Sequence, residues 1–192
     1  MRKVLCATRL LAITFIAFCS SFVNAQTTAA GPYYATPSWD QTLPASTRFI
    51  ILSNFTSEAV LDRDTGLVWE RSPSTLLFDG APPAGTFGGT HAHDHCINLR
   101  VANRGGWHLP TIQELLSLVD SSQTAPALPA GHPFTIAVDT QYWSATGYGN
   151  SVSAALRTAD FRLGVSGEAG TNGGVVQLHV WCVRGGSGVD IQ

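Results

Sequence analysis

Lysine is almost missing from this chain of 192 residues: Lys3 is the only one, and every other side-chain cation apart from histidine is an arginine. Beyond residue 25 the chain carries eight arginines against 13 acidic residues, a net charge of about −5. Such a balance excludes the broad basic surface needed for nucleic acid or for polyanions in general. Long hydrophobic runs are also lacking. The stretch Leu10 to Phe18 falls well short of the roughly 20 residues a membrane-spanning helix needs. Catalytic signatures are absent too. There is no Gly-x-Ser-x-Gly, no His-Glu-x-x-His and no phosphate-binding loop, and Gly164-Val165-Ser166-Gly167 lacks the nucleophile spacing. The expectation is a protein that is not an enzyme and holds no cofactor. Internal repeats and coiled-coil heptads are likewise missing.

What is present begins with an address. Arg2 and Lys3 precede the apolar run, and Val23-Asn24-Ala25 offers a cleavage site before Gln26, the layout of a secretory signal peptide over residues 1–25. Phe18 before Cys19 fits poorly with a lipoprotein site. The expectation is export to the periplasm, cell surface or medium. Cys6 and Cys19 would leave with the signal, so Cys96 and Cys182 remain. In an exported chain such a pair reads as one disulfide, worth roughly 4–5 kcal/mol in the chain-entropy model, against the alternative of two buried free thiols.

Residues 26–47 are rich in Ala, Thr and Pro and read as a linker or loosely docked arm, with Tyr33, Tyr34 and Trp39 favouring partial docking. The folded domain is expected over 48–186, followed by a tail at 187–192. Phe49 to Leu52 and Ala59 to Leu61 read as strands, and Asp62 to Gly66 as a hairpin turn into the return strand Leu67 to Glu70. A first helix is expected over 91–103, with Thr90 as its cap and Cys96 on the inward face. A second begins at Thr111, where Thr111-Ile112-Gln113-Glu114 forms a capping box and Ile112, Leu115, Leu116 and Val119 share an apolar face. Short strands follow at 141–146, 153–158, 160–163 and 175–184, with a glycine-rich connection at 164–174. Two helices and several short strands with long loops make an α+β fold.

Five blocks occur in order: Thr65-Gly66-Leu67-Val68-Trp69, Cys96-Ile97-Asn98-Leu99, Trp107 through Leu115, Tyr142-Trp143-Ser144-Ala145-Thr146, and Cys182-Val183-Arg184-Gly185-Gly186. Together they resemble the Lcl C-terminal domain family, exported bacterial domains named after a collagen-like adhesin. The resemblance implies a C-type-lectin-like fold: two helices on a small, twisted, mostly antiparallel sheet with long loops, and a long disulfide from the first helix to the last strand. It also implies a binding or adhesion role toward a glycan or protein, expected at a loop-rich face formed by loops at about 79–90, 121–135 and 164–174, and, through the adhesin's trimers, a homo-oligomer. The calcium- and sugar-placing motifs of animal lectin domains are absent, and His108 stands where the family more often has arginine.

Candidate chemistry is sparse. His91, His93, Asp94, His95 and Cys96 have the residue types zinc or copper prefers, and on a helix His91 and His95 would share a side, which supports a metal-dependent enzyme as an alternative. Packing at a polar helix start competes with that reading. Arg157 and Arg162 near Trp143 and Tyr148 suit carboxylate, sulfate or sugar faces. Core packing is the competing reading for Trp143, and an exposed strand face for the arginines. Arg184, beside the disulfide, is expected to pair with Glu70 or Asp64. A structural or assembly subunit of a bacterial envelope complex is the other functional class left open.

Overall fold

The computed structural model describes residues 27–29, 43–80, 91–148, 155–170 and 176–186. The expected signal segment, Tyr33, Tyr34, Trp39, the expected Thr90 cap, nearly all of the expected 79–90 loop and the 187–192 tail lie outside them. Strand β1 (Thr27–Ala29) pairs in parallel with β2 (Phe49–Leu52), so part of the expected arm adds to the sheet instead of linking to it. A single helical turn, α1 (Ala45–Arg48), leads directly into β2.

Strands β3 (Ala59–Asp62) and β4 (Val68–Glu70) form the expected hairpin, with Gly66 at φ 73° in its turn. Strand β5 (Phe78–Asp79) and helix α2 (Ala92–Asn98) follow, then β6 (Trp107–His108) and α3 (Ile112–Ser117). Strands β7 (Tyr142–Tyr148), β8 (Ala155–Asp160) and β9 (Val165–Gly170) make a separate antiparallel sheet. Strand β10 (Gln177–Leu178) pairs with β5, and β11 (Val183–Arg184) closes the main sheet, whose order is β1-β2-β3-β4-β11-β6. The result is α+β, and among the described strands β1 with β2 is the one parallel pair, isolated parallel bridges joining Asp79 to His91 and Tyr142 to His179. Among the described residues no helix is long and apolar enough to cross a membrane.

The main sheet is buried on both faces, and strand alternation divides its side chains between two cores. Phe49, Ile51, Val60, Trp69 and Val183 enter one, covered by Ile112, Leu115 and Leu118 around α3. Leu52, Ala59, Leu61, Val68 and Cys182 enter the other, covered by Ala92 and Cys96 of α2 together with Trp107 and Trp143. The two helices therefore contribute to opposite cores. In the first core Trp181 is ringed by aromatics, with Trp69, Phe134 and Phe161 centroids at 5.3, 4.9 and 5.3 Å. Such edge-to-face pairs add to simple area burial.

Three expectations need correction. Helix α2 ends at Asn98, five residues before the expected Asn103, because Leu99 is extended and Ala102 and Asn103 have left-handed φ values of 49° and 61°. Residues 165–170 of the glycine-rich connection are a strand, while 161–164 form the turn that leads into it. The closing 175–184 segment is two short strands in different sheets.

Candidate functional site

The capping box at α3 forms in full. Thr111 Oγ1 accepts from the Glu114 backbone N–H at 3.2 Å, and Glu114 Oε2 accepts from the Thr111 N–H at 2.8 Å. Burial alone pushes the Glu114 carboxyl up, but the adjacent His108 imidazole and the Thr111 donors outweigh it and hold the group below its usual range. His108 Nε2 lies 3.8 Å from Glu114 Oε1. These local contacts orient the helix and are structural.

The outer sheet carries the arginine and aromatic candidates. In its outer half Leu156 and Ala169 pack toward the second core, so alternation turns Tyr148, Arg157 and Glu168 to the other side. Arg157 Cζ stands 4.3 Å from the Tyr148 ring centroid, a cation–π contact between diagonal neighbours on β8 and β7. Glu168 is the direct cross-strand partner of Arg157 on β9, and is exposed. The face thus presents a ring, a cation and a carboxylate on three neighbouring strands of one sheet.

Trp143 and Arg162 do not join it. Trp143 is completely buried, its indole N–H donates to the Phe78 carbonyl at 2.8 Å, and a Cβ placed on Gly80 would approach the ring to 2.8 Å. Core packing is its role. Arg162 is exposed in the β8–β9 turn, where its backbone N–H is held by Asp160.

The histidine cluster is arranged differently from its helical reading. His91 is not in the helix: it precedes α2 in extended conformation at φ −83° and ψ 144°, and its Nδ1 meets Asp79 Oδ1 in a buried pair. His95 turns to the other neighbours, its ring 4.4 Å from that of Phe78. His93 lies 4.0 Å from Asp94. Among the described residues no group of three metal-capable side chains includes His91.

Beneath α2 the Cys96–Cys182 disulfide is formed, with Cα atoms 5.4 Å apart across a separation of 86 residues. Glu70 lies against it. Its Oε2 accepts from the Cys182 backbone N–H at 2.8 Å, while the Glu70 carbonyl accepts from the Trp181 indole. Burial pushes the Glu70 carboxyl up to about 7, only partly offset by the Cys182 hydrogen bond. The expected Arg184 ion pair does not form. Arg184 donates instead to the Gly105 carbonyl at 2.6 Å and lies 5.8 Å from the Phe55 ring centroid, while Asp64 belongs to Arg48.

Sequence reasoning overlooked Glu70 as a site residue and missed Asp79 and Glu168. A signal existed for Glu70: alternation from Val68 places it on the same face as the cystine. Asp79 and Glu168 had no such pattern, because β5 and β9 were not expected as strands.

A protein-family model described as the Lcl C-terminal domain matches residues 58–184. No curated protein and no solved structure matches the chain.

Proposed function

Since the chain belongs to the Lcl C-terminal domain family, we propose that it is an exported, non-catalytic binding domain recognising a glycan or protein through the outer sheet and its adjoining loops. The observation that carries this reading is the Arg157–Tyr148 pair, held on one face beside Glu168. Guanidinium over a phenol ring offers a flat, partly apolar surface bordered by hydrogen-bond donors, suited to a sugar face or to a protein carboxylate. The scaffold beneath it is rigid: Trp143 and Ser144 at the base of β7 are both buried, and Ser144 Oγ donates to the Arg157 carbonyl at 2.7 Å. A C-type-lectin-like architecture is our reading of the fold, supported by a disulfide from α2 to the final strands and by two helices flanking a small sheet. Fold likeness does not itself specify a ligand, so the face carries the proposal.

The test is a glycan array and a surface-protein pull-down with wild type, Arg157→Ala and Tyr148→Ala. Each variant should weaken capture by about tenfold, the scale of a binding hot spot, while changing stability by no more than about 0.5 kcal/mol. Capture no better than a reduced, unfolded control, or capture indifferent to both substitutions, would sink the reading.

One observation favours an assembly role as a second reading. Among the described residues β9 has no strand partner on its outer side, and its first residue Val165 and Leu163 in the preceding turn are 49 % and 54 % exposed. An open edge with apolar side chains is a template for pairing with another chain. Light scattering separates the readings: a stable oligomer dissociated by Val165→Lys supports assembly, and a clean monomer removes it.

A further inference from the structure

Among the described residues one group of three metal-capable side chains lies away from the outer face, at the cystine. A carboxylate oxygen of Glu70, a ring nitrogen of His95 and Cys182 Sγ all lie within 4.8 Å of one another. They come from β4, from α2 and from the residue preceding β11, so three packed elements hold them in place. His95 Nε2 is buried and makes no hydrogen bond among the described residues. Buried polar atoms are rarely left in that state, and the exceptions call for an explanation. In the oxidised protein the His95 ring and the Glu70 carboxyl stand beside a disulfide sulfur, which is a poor ligand.

We propose that reduction of Cys96–Cys182 opens a divalent-metal site formed by Glu70, His95 and Cys182, with Cys96 as the fourth donor. The covalent bridge is then replaced by a coordinate one. A dithiol supplies two electrons and two protons, becoming a disulfide itself, and the S–S bond breaks to give two thiols. Binding of the metal displaces the two thiol protons to solvent, together with the Glu70 carboxyl proton wherever that group is protonated. Two thiolates, one imidazole and one carboxylate make a four-coordinate set with no open position, which is a structural site, and the soft sulfurs select zinc over magnesium or calcium. Tetrahedral bonds of about 2.0–2.3 Å put ligand atoms roughly 3.3–3.7 Å apart, so the donors need to close by about an ångström. Cys96 Sγ, bonded to Cys182 Sγ in the oxidised protein, can swing to the fourth position once freed. This site is independent of the Arg157–Tyr148 face.

Cobalt(II) titrated anaerobically into the full-length protein, with zinc competition, tests the proposal. Phosphine-reduced protein should take up about one equivalent, with tetrahedral d–d bands and thiolate charge transfer, and oxidised protein none. His95→Asn and Glu70→Gln, each confirmed folded by near-UV dichroism when oxidised, should weaken binding at least about tenfold. Cys96→Ser frees the Cys182 thiol without any reductant, and it should bind cobalt in non-reducing buffer with weaker charge transfer. The variant keeps the test decisive if full reduction loosens the fold. No cobalt spectrum in either the reduced or the Cys96→Ser protein would overturn the proposal. So would equal binding by oxidised protein, or an affinity untouched by both ligand substitutions.

Discussion

Asp62 and Glu70 are buried carboxylates on adjacent strands of one sheet, facing opposite cores, and the protein treats them differently. Asp62 is saturated. It receives Arg48 Nε and Nη2 at 2.8 Å each, the Asp64 N–H at 3.1 Å and the Thr65 hydroxyl at 2.9 Å. Arg48 also donates to the Ser117 carbonyl at the end of α3, tying the hairpin turn to that helix. Glu70 has no arginine partner among the described residues; it accepts from the Cys182 N–H. Burial is the main influence on its carboxyl, and its shift is upward. The contrast separates a carboxylate built to hold the fold from one left with unused ligand capacity beside a sulfur pair. Both look alike in a hydrophobicity profile.

The largest expected effect would break the saturated side. Arg48→Met leaves Asp62 charged and buried with no cation, and should cost about 3–5 kcal/mol of unfolding free energy in urea denaturation. The double variant Arg48→Met, Asp62→Leu should recover only part of that loss, because buried Asp64, 3.3 Å from Arg48 Nε, still loses this cation.

The next effect sharpens the Glu70 side. Its pKa rises from the ordinary 4.5 to about 7 in the folded protein, so between those values the native state holds a proton that the unfolded chain has released. The contribution is therefore fully present below the lower value and is lost as pH rises through the upper one, by about 3 kcal/mol in all. Urea midpoints for wild type and Glu70→Gln across this range should differ by a pH-dependent amount. A constant difference would show that Glu70 is not what titrates.

The smallest effect concerns Glu114, a third carboxylate, which is satisfied within its own helix turn. Thr111→Ala removes one half of the capping box and should cost about 1 kcal/mol, read from thermal or urea unfolding. The Glu114 pKa, followed by NMR, should move upward toward the ordinary value as its Thr111 hydroxyl donor disappears.

These three sites also mark what could be read in the chain. The capping box was legible because every atom involved lies within four residues. The hairpin at 59–70 was legible for the same reason: Asp62 and Gly66 set the turn locally. Strand β9 was not. Val165-Ser166-Gly167-Glu168-Ala169-Gly170 has poor strand propensity, and its extended form comes from full registration along β8, a tertiary effect. The length of α2 was overread because apolar residues continued past the point where the backbone turns into left-handed conformations. Trp143 was ambiguous in principle, since an aromatic residue near arginines suits a ligand face and a core equally well. Only the Phe78 carbonyl and the close approach of Gly80 decide it. The Glu70–His95–Cys182 grouping joins three distant segments, and no spacing rule could have assembled it.

The division of one sheet between two cores has a consequence for how the strands find their register. Sliding β4 by a single residue against β3 would do more than expose apolar side chains. It would drive the Trp69 indole toward the cystine and bring Val68 or Glu70 among the rings around Trp181. An error that a one-sided sheet could hide on its solvent face is here penalised on both faces at once. The chain proofreads its own pairing, and it does so with the residues that build the interior.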